Sequence, residues 1–150
     1  MIILTHIGET LPDYIDTFLT QLRVFNGQND IVFLVNMSNT NNPIFVKHNV
    51  WTFPIEDLDV TLINKFIAKF GHGDINSNKK HIVYGGPDYW CVTATRLFYI
   101  YEYCKKFNIK EYFHFENDIM VYSDVNFILS IIKENSLYEN IAITRGTNNK

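Results

Sequence analysis

Glu116-Asn117-Asp118 sets two carboxylates one residue apart, where an aromatic run, Tyr112 to Phe115, gives way to a second apolar run, Ile119 to Tyr122. On an extended backbone, residues two apart project to the same side. At a strand end such a pair makes an oxygen-rich claw suited to a hard divalent cation. Without a cation or a basic partner, two acids so close would repel and raise one another's pKa. The pair therefore calls for a counter-charge or for water. A divalent ion on Asp118, with Glu116, would bridge two phosphate oxygens and offset the charge on a departing diphosphate. Arg96 could add a further positive group in bidentate form.

Each of these residues also has a plainer reading. The two acids would serve as a solvated turn between strands, and Arg96 as a surface salt-bridge partner. His6 and His114 would be hydrogen-bonded structural residues, and Asn36 a strand-end turn residue. The aromatics Phe98, Tyr99, Tyr101 and Tyr103 would be packing rather than a sugar platform.

Several other chemistries lack their signatures. There is no G-x-G-x-x-G fingerprint and no G-x-x-x-x-G-K-[ST] loop, which removes the usual dinucleotide and P-loop sites. A G-x-S-x-G elbow is missing as well. The five histidines and two cysteines show no metal-ligand spacing. Net charge is −3 with no block of Lys or Arg, which argues against nucleic-acid binding by phosphate neutralisation. No apolar run approaches the length of a transmembrane span. Met1-Ile2-Ile3-Leu4 lacks a basic flank and reads as a first strand, not a signal peptide. Cys91 and Cys104 fall in one helix, too far apart to bridge. Reduced cysteines point to a cytoplasmic compartment.

The elements that must position the acids follow from periodicity. The 150 residues, 47% of them apolar, fit one domain spanning 1–150 with one core. Met1 to Ile7 reads as a buried strand ending at Gly8. Thr10-Leu11-Pro12-Asp13 then opens a helix with Thr10 as N-cap, and Asn26-Gly27 closes it. Ile31 to Val35 is a second buried strand ending at Asn36, followed by a polar loop from Ser38 to Pro43. Ile44 to Val46 and Val50 to Phe53 read as a third strand, broken at His48-Asn49. Leu58, Leu62, Phe66, Ile67 and Phe70 mark a second helix. Gly71 to Pro87 is a long irregular stretch. A third helix runs from about Pro87 to Phe107, with Trp90, Ala94, Leu97, Phe98, Tyr101 and Cys104 as its core stripe. Arg96 lies on the far side of that stripe. Ser123 or Asp124 caps a fourth helix from Val125 to Glu134, and Asn140 to Thr144 is a last strand.

This alternation predicts a three-layer α/β/α, Rossmann-like, mostly parallel sheet. Ligands of such sheets bind at the carboxyl ends of the strands, where Gly8, Asn36 and Glu116 to Asp118 all fall. Thr5-His6-Ile7-Gly8 would let the backbone approach a ligand closely at the glycine.

The run Phe113 to Tyr122 resembles the D-x-D segment of GT-A-type glycosyltransferases, in an E-N-D form. Arg96-Leu97-Phe98 on a helix some twenty residues upstream, the opening strand with His6-Ile7-Gly8, Leu11-Pro12-Asp13-Tyr14 and Gln21-Leu22-Arg23 are similar to the same family. The resemblance implies a GT-A-like nucleotide-binding half, a nucleotide-diphosphate sugar as donor, and Mn²⁺ or Mg²⁺. Asp118 would bind the metal. Glu116 would contact ribose or metal-bound water, or the metal itself. Thr5, His6, Ile7 and Gly8 would line the base and ribose site with Asn36 beside it. Arg96 would face the diphosphate, and Asn117 would belong to the nucleotide site. The acceptor, a glycan, protein or lipid, is open.

Family members usually carry an acceptor half beyond the motif. Here the residues after it offer only Asp124, Glu134, Glu139 and Arg145, none placed as a base. The expectation is a complete donor half whose acceptor half is incomplete or borrowed from a partner subunit or a second copy. Two rival readings stay open: a non-catalytic module that binds a nucleotide sugar or a partner, and a metal-dependent nucleotidyltransferase or phosphohydrolase.

Overall fold

The computed structural model describes residues 1–70 and 87–135, without the side chains at 87–90 and 135. Among the described residues four strands form one sheet: β1 (Ile2–His6), β2 (Ile31–Val35), β3 (Trp51–Pro54) and β4 (Phe113–His114). All pairings are parallel, and the order across the sheet is β3-β2-β1-β4. The helices are α1 (Ile15–Phe25), α2 (Pro43–Lys47), α3 (Thr61–Phe70), α4 (Pro87–Phe107) and α5 (Val125–Asn135).

Alternation along β1 and β2 divides the core. Ile2 and Leu4, with Ile31, Phe33 and Val35, pack under α1, α2 and the start of α5. Ile3, with Val32 and Leu34, packs under Ile100 and Tyr103 of α4. Both faces of β1 and β2 are buried, which is why their sequences read as unbroken apolar runs. The expected layers, helices on both faces of a parallel sheet, are therefore present. Helix α3 adds to the α4 side, with the Phe66 and Phe98 rings 5.1 Å apart. Among the described residues no helix is long and apolar enough to cross a membrane.

The strand order creates one natural opening. From β1 the chain winds outward through β2 to β3, then returns past β1 to place β4 on its other side. The winding direction reverses at β1, so the seam between β1 and β4 is the switch point at which the flanking loops part.

Four local expectations are corrected. Ile44 to Val46 is helix, not strand. Asn42 accepts a hydrogen bond from the Ile44 N–H at 3.1 Å, and Pro43 sits at the first helical position, so a cap and a pre-set φ override the β-branched residues. Helix α1 starts at Ile15 rather than after Thr10. The Thr10 carbonyl instead accepts from His6 Nε2 at 2.9 Å, which ties it to the end of β1.

On α4 the stripe is rotated. Cys91, Thr95, Ile100, Glu102 and Tyr103 are buried, while Leu97 and Tyr101 are 62% and 53% exposed. Aromatic residues occupy several sides of this helix, because it meets both the sheet and α3, and their spacing fits more than one register. Lastly, the strand carrying the acids is short. Only Phe113 and His114 join the ladder, and Asn117-Asp118 forms a turn. Ile119 to Tyr122 is not a strand. Its one buried member, Val121, is held by the side-chain amide of Gln21, which donates to the Val121 carbonyl and accepts from its N–H at 3.0 Å. The stretch 71–86, the strand expected at 140–144, and Glu139 and Arg145 lie outside the described residues.

Candidate functional site

A crevice of about 260 Å³ opens at the carboxyl ends of β1 and β4. The β1 side contributes Thr5, His6 and Ile7, and the turn after β4 contributes Glu116, Asn117 and Asp118. Arg96 reaches it from α4. Seven of the nine residues expected from sequence thus share one wall. Tyr14, Val92 and Thr93 complete the lining. The last two precede Arg96 by four and three residues, a spacing that places them on its face of the helix.

Gly8 and Asn36 are not on the lining; they brace it from behind. The Gly8 N–H donates to Asn36 Oδ1 at 2.7 Å, and its carbonyl accepts from Asn39 Nδ2 at 2.9 Å. Asn36 Nδ2 and the Met37 N–H in turn donate to the two carboxylate oxygens of Glu56, at 3.0 and 2.9 Å. The loop after β1 is thereby tied to the loops after β2 and β3. A side chain at position 8 would place its Cβ 3.1 Å from His6 Nε2, so glycine lets the loop fold against the histidine.

Asn117, the middle residue of the acidic motif, is 7% exposed and holds the seam together. The Phe113 N–H donates to the Met1 carbonyl at 3.1 Å. Four residues further along each chain, Asn117 Nδ2 donates to the Thr5 carbonyl at 3.3 Å. A side-chain amide therefore continues the ladder in register after the backbone has turned away. The same amide accepts from the Tyr14 hydroxyl at 3.4 Å. Next to it, His114 Nδ1 contacts the Ile3 carbonyl at 2.9 Å, a structural bond along the same seam.

The turn separates the two acids. Glu116 is ion-paired with Arg96, its Oε2 accepting from Nη1, while Asp118 is exposed. The expected pair of parallel carboxylates on an extended strand is thus replaced by one paired and one open acid, both bordering the crevice. The Arg96 side chain is only 16% exposed, so its charge leans on that partner. Its Nη2 has no protein partner among the described residues.

Burial lowers the pKa of His6; the bond to Thr10 opposes this and the charge of Arg96 adds to it. A neutral His6 that donates from Nε2 keeps a lone pair on Nδ1. The Tyr14 phenol is pushed up by burial and by the charge of Asp118, with Arg96 pulling the other way and Glu116 adding to the rise. It remains a hydroxyl donor.

One polar atom in the crevice wall is left over. Thr5 is 2% exposed, and its Oγ1 has no hydrogen-bond partner among the described residues. Position 5 follows Ile3 on the α4 face of the strand. A buried hydroxyl without a partner is costly. The donor set also suits a hard divalent cation, which takes one or two carboxylates and fills its remaining positions with water and ligand phosphates. Glu116 and Asp118 fit that requirement. No cluster of three or more His, Cys, Asp or Glu side chains able to cage a metal occurs among the described residues, so a protein-only cage is not what this site offers. Comparison of the chain with protein-family models, with curated proteins and with solved structures finds no match.

Proposed function

We propose that the chain is a metal-dependent glycosyltransferase domain, or the donor-binding part of one, with a GT-A-like arrangement of its nucleotide site. The donor is a nucleotide-diphosphate sugar. The observation that carries this reading is the convergence of Arg96, Glu116 and Asp118 with the unpartnered Thr5 hydroxyl at the β1–β4 switch point. Asp118 and Glu116 would hold Mn²⁺ or Mg²⁺, which neutralises charge on the departing diphosphate when bound. Arg96 would orient the diphosphate oxygens through its guanidinium fork. Thr5, His6 and Ile7 would line the base and ribose end, with Asn117 and Tyr14 fixing the wall between. Gly8 and Asn36 act here as braces rather than contacts.

One observation favours a second reading, a non-catalytic module that binds a nucleotide sugar. The acids bordering the crevice are Glu116 and Asp118, and both are engaged by this scheme, so no carboxylate among the described residues there is spare to act as a base. Asp124 is committed elsewhere, accepting from the Asn126 N–H at 2.7 Å at the start of α5. Incubation with UDP- or GDP-sugars, Mn²⁺ and crude acceptor extracts separates the readings. Release of nucleoside diphosphate supports the transferase, and nucleotide binding without turnover supports the module. Release of phosphate or pyrophosphate instead would move the site to nucleotidyl transfer or phosphohydrolysis.

A further inference from the structure

An acid and an amide join the carboxyl ends of β1, β2 and β3. Strands β2 and β3 stay in register as far as Val35 and Pro54. The residues that follow them, Asn36 and the turn Ile55–Asp57, therefore leave the sheet side by side. Ile55 is buried and pins that turn. Next to it, Glu56 Oε1 accepts from Asn36 Nδ2 at 3.0 Å, and Oε2 accepts from the Met37 N–H at 2.9 Å. Asn36 Oδ1 accepts from the Gly8 N–H at 2.7 Å. A carboxylate only accepts and a backbone N–H only donates. The amide between them has one orientation that satisfies both, nitrogen toward Glu56 and oxygen toward Gly8. Gly8 in turn folds against His6, where an added Cβ would stand 3.1 Å from Nε2. His6 lines the crevice, whereas Glu56 and Asn36 do not.

We propose that Glu56 is a positioning residue for the crevice: by fixing which way the Asn36 amide faces, it holds Gly8, and through it His6, where a ligand meets them. This role rests on the reading of the crevice as a nucleotide site and adds a residue that touches no ligand. Glu56→Gln keeps the shape but leaves one acceptor for two donors. Either Met37 or Asn36 loses its partner, or Asn36 turns over and sets its nitrogen against the Gly8 N–H. Asn36→Asp keeps the acceptor for Gly8 but sets two carboxylates against each other. Both changes together restore the pattern with acid and amide exchanged, at unchanged net charge. The carboxylate at position 36 then accepts from Gly8 and from the amide at position 56, whose oxygen accepts from Met37. A side chain that supplied only bulk or charge would give no such reciprocal rescue. Charge alone would also make the loss of an acid favour an anionic ligand, so weaker nucleotide binding by Glu56→Gln isolates the positioning effect.

Calorimetric titration of UDP and of GDP with Mn²⁺ present, beside hydrogen exchange of the Gly8 amide, tests this on the wild type, the two single variants and the double exchange. Each single variant should bind UDP about tenfold more weakly and exchange the Gly8 proton about tenfold faster. The double variant should recover both to within about threefold of the wild type. If Asn36→Asp fails to fold, Glu56→Gln and the double variant still decide. Unchanged UDP affinity or unchanged Gly8 exchange in Glu56→Gln, or a double variant no better than that single one, overturns the positioning role and leaves the nucleotide site in place. A wild type that binds neither UDP nor GDP overturns both.

Discussion

Thr5 and His6 carry the sharpest consequences at the scale of single residues. Thr5 leaves a buried hydroxyl without a protein partner among the described residues, so Thr5→Val, which keeps the shape and removes the hydroxyl, should separate stability from binding. The variant is expected to unfold no more easily than the wild type, with a gain of up to about 1 kcal/mol. Its nucleotide affinity should fall about tenfold. Denaturant melts run beside nucleotide titrations check this, and lost stability with intact affinity would show the hydroxyl to be structural. His6 makes a pH prediction. Its folded pKa lies below the usual 6.5, chiefly through burial. The unfolded chain therefore binds the proton first as pH falls. His6 contributes full stability above pH 6.5 and loses it as pH drops from there through the lowered folded value. Melting temperatures from about pH 7.5 to about pH 5 should decline over that window, and His6→Gln should flatten the decline. Asp16 acts in a separate, more acidic range. His48 and Lys47 hold its carboxyl below its ordinary 3.8, so its contribution is lost only as pH falls below that value.

At the scale of elements, the seam between β1 and β4 is what gives the site its shape, and Asn117 extends that seam beyond the two-residue strand. Asn117→Ala removes the donor to the Thr5 carbonyl and the acceptor for Tyr14. It should cost about 1–3 kcal/mol of stability and weaken nucleotide binding even though the acids remain. Equal unfolding midpoints for variant and wild type would contradict the role of a keystone. The strands β1 and β2 are legible in the sequence as unbroken apolar runs because both of their faces are buried. The acids are legible as site candidates because they end an aromatic run at a strand's carboxyl terminus, and both border the crevice. The turn at Asn117-Asp118 is not legible. An extended reading treats Asn117 as a spacer between the two acids of one claw, whereas a side-chain amide replacing a backbone donor depends on a neighbour 112 residues earlier. Helix α2 reads as a strand although Asn42-Pro43 carries its signal, because Ile44 and Val46 suggest a strand more loudly than the cap suggests a helix. The stripe of α4 resists placement because a helix that meets both a sheet and another helix has no single apolar face.

At the scale of the whole molecule, the order β3-β2-β1-β4 gathers residues from distant parts of the chain to one crevice. Thr5, Tyr14, Arg96 and Glu116 meet because the winding reverses at β1, and the loops after β1 and β4 part there while α4 crosses above. Asn36, at the end of β2, stands on the other side of β1 from β4. This is why it braces Gly8 instead of lining the crevice. The parallel, two-sided sheet follows from alternating runs in the sequence, but the strand order does not, and only the order decides which strand ends share a site. On the function proposed above, this switch-point crevice holds a nucleotide diphosphate with a divalent cation on Asp118. Asp118 is exposed, so Asp118→Asn should leave the fold intact. The most direct test is calorimetric titration of UDP, GDP and their sugars into wild type and Asp118→Asn, with and without Mn²⁺. Mn²⁺-dependent binding by the wild type, lost in the variant at an unchanged melting temperature, is the expected result. Folded wild type that binds no nucleotide with Mn²⁺ present, or Asp118→Asn that binds as the wild type does, would contradict the claim.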